Sequence, residues 1–155
     1  MPLRYWKTGR VLYNLFRNMK IRKMKPSDFE QIVQLWKEIN VSPEAIADDK
    51  KNFPLMLKLN PSTCFIAIEN KKIVGSIFGL FNGRRAFIYH LGVHPDMQKK
   101  KLGSELLLST EKALKKAGTN RILLWVDFDN LKITNFYNKH GYTVCSDAVL
   151  FGKNV

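Results

Sequence analysis

The residues most suited to chemistry in this 155-residue chain lie between Leu91 and Ser104. The stretch is predicted to form the end of a strand, a short basic loop and the first turn of a helix. The first N–H groups of a helix have no partner within the helix, and the helix dipole adds positive potential there. This order of elements therefore predicts a site for a phosphate-bearing ligand.

Glycines and lysines in this stretch suit a ligand that approaches the main chain. Gly103 lies at the start of the predicted helix and leaves the backbone open to a phosphate. Lys99, Lys100 and Lys101 add positive charge, although a lysine run is also typical of a solvated surface. Gly92 interrupts an apolar strand, which indicates either a β-bulge or a glycine needed for packing.

A further candidate segment runs from Asn130 to Tyr142. Phe136 is expected to enter the core, and Tyr137 beside it then points to a different face of the same helix. Tyr137 brings a hydroxyl that can donate and accept hydrogen bonds and whose ordinary pKa is about 10.

The elements that must position these residues alternate between strands and helices. The predicted strands are 19–22, 63–69, 73–81, 86–93, 121–127, 142–145 and 148–152. The predicted helices are one opened by a capping box from Ser27 to Glu30, one after Ser42 that is interrupted near Pro54, and 101–117 and 130–140. The turn at Asn82–Gly83 is the strongest hairpin signal. The order predicts a mixed α/β fold with an antiparallel meander.

Composition supports one globular domain. Hydrophobic residues make up 45% and charged residues 25%, which excludes disordered, collagen-like and disulfide-scaffold classes. No apolar run approaches the ~20 residues that span a bilayer. Cys64 and Cys145 lie in strand-like segments without metal or redox spacing, so we interpret them as buried thiols, predict no metal site and expect a cytoplasmic protein.

The charge is strongly basic and unevenly distributed. The formal net charge is +13, and eight basic residues with no carboxylate lie within residues 1–25. Residues 1–18 are predicted to form a basic extension with one apolar helical face, and 19–155 the domain. Such charge predicts a weak contact with a polyanion, such as a nucleotide, RNA or an anionic surface.

The two motifs resemble those of the GNAT superfamily of N-acetyltransferases, over residues 19–155. The family pattern Val-x-Pro-x-x-(Gln/Arg)-x-x-Gly-x-(Gly/Ala) corresponds to Val93-His94-Pro95-Asp96-Met97-Gln98-Lys99-Lys100-Lys101-Leu102-Gly103. The pattern Asn-x-x-Ala-x-x-Phe-Tyr-x-x-x-Gly-(Phe/Tyr) corresponds to Asn130-Leu131-Lys132-Ile133-Thr134-Asn135-Phe136-Tyr137-Asn138-Lys139-His140-Gly141-Tyr142. Lys101 replaces the usual glycine and Ile133 the usual alanine.

The resemblance implies an acyl-CoA N-acyltransferase fold, with a central mixed sheet flanked by helices. It implies acetyl transfer from acetyl-CoA to an amine within a ternary complex. Acetyl-CoA would contact the strand end at Leu91, Gly92 and Val93, the loop and helix start at Gln98, Lys99, Lys100, Lys101, Leu102, Gly103 and Ser104, and also Asn130 and Tyr137. Tyr137 would be the general acid that protonates the departing thiolate.

The general base is left open. Strict alternation gives one strand face Phe87, Tyr89, Leu91 and Val93, and the other His90 and Gly92. Some family members carry a Glu or His on the site-facing side, where this chain has Phe87 and Tyr89, so His90 is expected to be a packed histidine. We therefore predict a base acting through water, such as Asp127, or an acceptor of low amine pKa, because lysine costs about 3.5 kcal/mol more to deprotonate than an α-amine.

Other interpretations stay open at this level. A basic RNA- or ribosome-associated module, or a CoA-sensing regulator, could use the same fold without catalysis. The acceptor is a small amine, a peptide N-terminus or a protein lysine, and Glu44, Asp48 and Asp49 would either attract its positive charge or form a solvated helix face. The oligomeric state stays open as well, although homodimers are common in the family that the chain resembles.

Overall fold

The computed structural model describes residues 19–155, so the predicted extension 1–18 and its amphipathic face lie outside the described residues. The described chain divides into two units, 19–124 and 125–155. None of the helices in this part of the chain is long and apolar enough to cross a bilayer.

The first unit is built on a five-stranded sheet. Its strands are β1 (Met19–Lys23), β2 (Phe65–Glu69), β3 (Lys72–Phe81), β4 (Ala86–Val93) and β5 (Ile122–Leu123). Strands β1 to β4 pair antiparallel in chain order, and β5 pairs parallel with β4. The predicted meander is therefore confirmed. At its hairpin, Asn82 Oδ1 accepts hydrogen bonds from the N–H groups of Arg84 and Arg85, and Gly83 has φ +90°.

Two helices, α1 (Phe29–Glu38) and α2 (Pro43–Leu59), cover one face of this sheet. Trp36 of α1 is fully buried, and its ring lies 5.7 Å from that of Phe78 on β3. The indole Nε1–H donates to Ser76 Oγ at 3.1 Å, which satisfies the one polar atom of a large apolar side chain. This contact fixes α1 over the middle of β3.

The starts of α1 and α2 show where cap signals succeed and fail. Ser42 caps α2 as predicted, since its hydroxyl accepts from the Ala45 N–H at 3.2 Å. The predicted capping box at Ser27 is wrong, because a 3-10 turn begins at Pro26 and Asp28 accepts from the Lys25 N–H instead. Asp28 also takes two hydrogen bonds from Arg22, each 2.8 Å. Helix α2 continues through Pro54 without the predicted interruption.

The third helix, α3 (Leu102–Ala117), covers the opposite face of the sheet. Two glycines of β3 make room for it. A Cβ on Gly75 would lie 2.8 Å from Leu106 Cδ1, and one on Gly79 would lie 2.6 Å from Thr110 Cγ2 and 2.7 Å from the Thr63 carbonyl oxygen. Side chains of α3 therefore pack directly onto the β3 backbone, which fixes the height of the helix above the sheet.

Replacing Gly79 by alanine should therefore destabilise the fold. We expect the free energy of unfolding to fall by about 1–3 kcal/mol, because the new methyl group overlaps backbone that cannot move aside. Denaturant unfolding measures this change. Gly152→Ala is the matched control, since nothing lies within 4 Å of its added Cβ. Equal stability of the two variants would contradict the close packing of α3 on β3.

The second unit departs from several sequence predictions. It contains a 3-10 segment (Phe128–Ile133) and α4 (Thr134–Lys139) where one helix over 130–140 was predicted. The strands predicted at 142–145 and 148–152 are absent from the described residues, and the strand predicted over 121–127 is confined to β5. Two apolar residues of this segment, Val149 and Phe151, are exposed. Because these side chains are not buried, they do not provide the packing that stabilises a strand.

The two cysteines differ in environment. Cys64 is buried as predicted, and this burial raises the pKa of its thiol to about 11. Cys145 is exposed, so its predicted burial is wrong. Its segment forms no strand and therefore no buried face.

Candidate active site

A β-bulge in β4 lies at the start of the stretch from Leu91 to Ser104 that the sequence singled out. Phe78 pairs with Tyr89 and Ser76 with Gly92, so Ile77 alone lies opposite His90 and Leu91. His90 has φ +48°, in the left-handed region that non-glycine residues seldom adopt. The two bulge residues, His90 and Leu91, thus directly precede Gly92, where the sequence suggested a bulge.

The bulge changes which side chains share a face. Tyr89 pairs with Phe78, which packs under α1, and the His90 ring lies 4.7 Å from Trp36 and 5.9 Å from Phe78. Tyr89 and His90 therefore face the same side although they are consecutive. The strict alternation predicted from the sequence is wrong here, because the inserted residue interrupts the two-residue period.

Gly92 satisfies both interpretations offered for it. It lies next to the bulge, and a Cβ on it would overlap Ile39 Cδ1, at the end of α1. Val93 pairs with Gly75, which packs under α3, so Val93 points to the opposite face from Gly92. Beyond the bulge, the strand thus returns to ordinary alternation.

His90 has a charged partner from α2. Its Nε2 lies 2.7 Å from Asp49 Oδ2, and the His90 side chain is 25% exposed while that of Asp49 is 17% exposed. The predicted packed histidine is confirmed in its contacts with Trp36 and Phe78. The sequence did not reveal that His90 lies on the same face as Phe87 and Tyr89, which the resemblance makes the site-facing side.

The loop after β4 is tied to the sheet by its own polar groups. The His94 N–H donates to the Val74 carbonyl at 2.9 Å, and Gln98 Nε2 donates to the Val93 carbonyl at 3.1 Å. His94 Nδ1 accepts from the Asp96 N–H at 3.2 Å. These bonds give the side chains of His94 and Gln98 structural roles in the loop.

Two lysines hold the loop in a backbone conformation typical of glycine. Lys99 has φ +60° and Lys101 has φ +66°, both left-handed. Lys101 replaces the glycine of the family pattern and keeps the backbone conformation that glycine adopts most easily. Left-handed residues in turns bring successive N–H groups to one side, where they can face an anion. Lys101 is therefore compatible with a loop whose N–H groups face an anion.

The start of α3 leaves donors available for such an anion. The helical hydrogen bonds begin with the Glu105 N–H, which donates to the Lys101 carbonyl at 3.0 Å. The N–H groups of Leu102, Gly103 and Ser104 precede that bond and have no acceptor within the helix. Lys99, Lys100 and Lys101 are exposed beside them. Positive charge and free donors therefore coincide at one end of α3.

The remaining predicted site residues, Asn130 and Tyr137, belong to the second unit. Asn130 is exposed and lies at a kink in the 3-10 segment, where its φ is −116°. Tyr137 of α4 is buried, with its ring 5.2 Å from Phe136 and 5.7 Å from Tyr142. This burial raises the pKa of the Tyr137 hydroxyl to about 12, so the phenol keeps its proton at neutral pH.

Comparison with known proteins gives a consistent result. Residues 29–142 match the model of the acetyltransferase (GNAT) family. An acetyltransferase of Sodalis glossinidius and one of Pectobacterium atrosepticum are each 31% identical over 137 residues, which cover 88% of this chain and 96% of each relative.

Solved structures agree on the fold. The PaiA N-acetyltransferase of Thermoplasma acidophilum, in complex with coenzyme A, is 24% identical, with a TM-score of 0.71 over 84% of this chain and 92% of its own. An acetyltransferase of Streptococcus agalactiae is 21% identical, with a TM-score of 0.71 over 90% of this chain and 93% of its own. The mixed α/β fold predicted from the sequence is therefore confirmed.

Proposed function

The chain belongs to the GNAT family of acetyltransferases, and from that premise we propose that a primary amine attacks the thioester of acetyl-CoA directly, within a ternary complex on this protein. The observation that carries the proposal is the loop between β4 and α3. There, left-handed backbone at Lys99 and Lys101 leads into a helix start with unpaired N–H groups. That arrangement suits a pyrophosphate.

We propose that acetyl-CoA lies along the end of β4 and the start of α3. Pairing of β4 with β5 involves only Ala86 and Phe87, so the later residues of β4 have no strand partner on that side within the described chain. The backbone of Leu91, Gly92 and Val93 would pair with the pantetheine arm as a further strand does. The pyrophosphate contacts would come from Gln98, Lys99, Lys100, Lys101, Leu102, Gly103 and Ser104, and Asn130 would lie near the pantetheine.

We assign to Tyr137 the role of acid for the departing sulfur. Its support is the match of Asn130–Tyr142 to the second family motif and the burial that keeps the phenol protonated. A hydroxyl beside the breaking C–S bond stabilises the negative charge that develops on sulfur and passes it a proton. Much of the remaining rate comes from holding amine and thioester together, an advantage of ~7–11 kcal/mol in well-oriented reactions.

An acetyl-CoA titration and an amine panel test the proposal. Calorimetry should give one acetyl-CoA site per chain with micromolar affinity. Thiol release is then followed with spermidine, neamine, a peptide with a free N-terminus and a peptide with one lysine, and the acetylated product is identified by mass spectrometry. Absence of acetyl-CoA binding at millimolar concentration would contradict the proposal and favour the basic RNA-associated module instead.

The compartment and partners follow from the same proposal. We place the protein in the cytoplasm, because Cys64 and Cys145 show no metal or redox spacing in the sequence, which is usual for thiols in a reducing compartment. A homodimer and a polyanion contact of residues 1–18 stay predictions, and the cheapest test of the second is filter binding of RNA at several salt concentrations.

A further inference from the structure

Asp49 and His90 form a close contact between a buried carboxylate oxygen and an imidazole nitrogen. Asp49 Oδ2 is fully buried and forms no well-directed hydrogen bond among the described residues, and His90 Nε2 lies 2.7 Å from it. A buried carboxylate oxygen is costly unless a polar hydrogen lies close to it. The contact therefore places a buried acceptor against one ring nitrogen of His90.

The backbone adds a second, independent sign of function. His90 is the inserted residue of the bulge and adopts φ +48°, a conformation that is costly for a residue with a Cβ. Outliers of this kind persist where the surrounding structure demands them and are common at functional sites. Here the conformation turns the imidazole onto the face of the sheet that Phe87 and Tyr89 occupy.

We propose that His90 is the general base of the acetyl transfer and that Asp49 is its positioning residue, a proposal that rests on the function proposed above. Because Nε2 lies 2.7 Å from the Asp49 carboxylate, the ring hydrogen belongs on Nε2, and Nδ1 then carries the lone pair that accepts a proton. No hydrogen bond to Nδ1 is formed within residues 19–155, and part of the ring is open to solvent. Asp49 fixes this tautomer and stabilises the imidazolium that forms.

Each of the three protons of the acceptor ammonium has a defined fate in this step. One passes to His90 Nδ1 and from there to water, which frees the amine lone pair to form the C–N bond. As the C–S bond breaks, its electron pair leaves on sulfur, and a second ammonium proton reaches that sulfur through Tyr137. The third stays on the amide nitrogen, so the products are the acetylated amine, CoA thiol and one released proton.

The pH response of this base depends on what faces it from each packed element. Helix α2 contributes the Asp49 carboxylate, and β4 contributes Tyr89 on the same face, whose pKa is raised by burial so that it stays neutral. Helix α1 and β3 contribute Trp36, Ser76 and Phe78, none of which titrates. The nearby Glu38 carboxylate lies 3.0 Å from His94 Nε2 instead.

The test compares kcat/KM against pH for His90→Asn, Asp49→Asn and the wild type. Asparagine is chosen at 90 because it tolerates left-handed backbone. The acceptor is whichever amine of the panel above the wild type acetylates fastest. Glu30→Gln is the control, because it removes one carboxylate charge from an exposed position of α1 that has no part in the proposed site. Acetyl-CoA affinity and thermal stability are measured for every variant.

We expect His90→Asn to lower kcat/KM at pH 8 by ~10²–10⁴-fold, the usual contribution of a general base, and to remove the acid limb that an imidazole base produces between pH 5 and 8. Asp49→Asn should lower it by ~10–100-fold, as expected for loss of one charge-assisted contact. Both should keep the acetyl-CoA affinity of the wild type, and Glu30→Gln should match the wild type throughout.

A folded His90→Asn variant with wild-type kcat/KM and an unchanged acid limb would overturn the proposal while leaving the proposed function intact. Equal kcat/KM of Asp49→Asn and Glu30→Gln at every pH would overturn it in the same way. Failure of the wild type itself to bind acetyl-CoA would instead overturn the proposed function and the assignment of His90 with it.

Discussion

Tyr137→Phe should lower kcat by ~10²–10⁴-fold, because the change removes the proton donor for the departing thiolate and nothing else. The phenol is buried, and the rise of its pKa to about 12 keeps it protonated throughout the neutral range. A group that stays protonated is available as a donor at every pH at which the amine is reactive. Steady-state kinetics with a saturating amine measure the effect.

The loss should fall on kcat and leave the affinity for acetyl-CoA nearly unchanged, since an interaction with developing charge on sulfur strengthens only as the bond breaks. Tyr142→Phe is the matched control: it removes a hydroxyl from a ring 5.7 Å from that of Tyr137 in the same unit. A Tyr137→Phe enzyme as fast as the control would contradict the assignment and favour a CoA-sensing regulator, in which this hydroxyl has no chemical task.

Removing the three loop lysines together should weaken acetyl-CoA binding by ~100-fold. If each exposed ammonium of Lys99, Lys100 and Lys101 contributes about 1 kcal/mol to holding a phosphate, the three sum to ~3 kcal/mol. Calorimetric titration of the triple alanine variant gives the change in Kd. Alanine, like lysine, adopts the left-handed conformation only at a cost in free energy. The triple alanine variant therefore differs from the wild type mainly in the charge of the loop.

The opposite end of α3 provides the control for this experiment. Lys112, Lys115 and Lys116 are also exposed, so their triple alanine variant has the same net charge as the loop variant. Only the loop variant should lose affinity for acetyl-CoA. The difference in Kd between the two variants should become smaller when the salt concentration is raised from ~0.1 M to ~1 M, because salt screens the charges. Equal losses in both variants would indicate that overall charge, and not the loop, attracts the ligand.

Local sequence signals predicted many of the strands, turns and helix ends that position this site. The bounds of β4 were predicted as observed, the hairpin at Asn82–Gly83 was found from its dipeptide, and α3 ends at Gly118 with φ +108°, as a helix-ending glycine should. Each signal depends on a few neighbouring residues and on conformations that only some side chains adopt easily. Such features can be read without knowledge of the tertiary structure.

The face occupied by His90 could not be predicted in the same way. A bulge depends on the pairing of β3 with β4, and the sequence around His90 looks like uninterrupted strand. Gly92 was the available signal, but it fixed the bulge only to within two residues, and a shift of one residue moves a side chain to the other face. The contact with Asp49 was equally hidden, since it joins residues 41 positions apart.

The prediction of two C-terminal strands was wrong for a related reason. Residues 142–152 contain the apolar and β-branched residues that favour strands, yet Val144, Val149 and Phe151 are exposed. Strand propensity is realised through packing against neighbours, so pattern alone overestimates it where burial is missing.

Transfer of a labelled acetyl group is the most direct test of the central claim, that this protein acetylates an amine. The wild-type protein is incubated with acetyl-CoA carrying carbon-13 in the acetyl group and with the amine panel, and the products are analysed by mass spectrometry. We predict labelled amide on one class of primary amine, with CoA thiol released in equal amount and little release without amine. Thiol released at the same rate with and without amine, and no labelled amide, would contradict the claim.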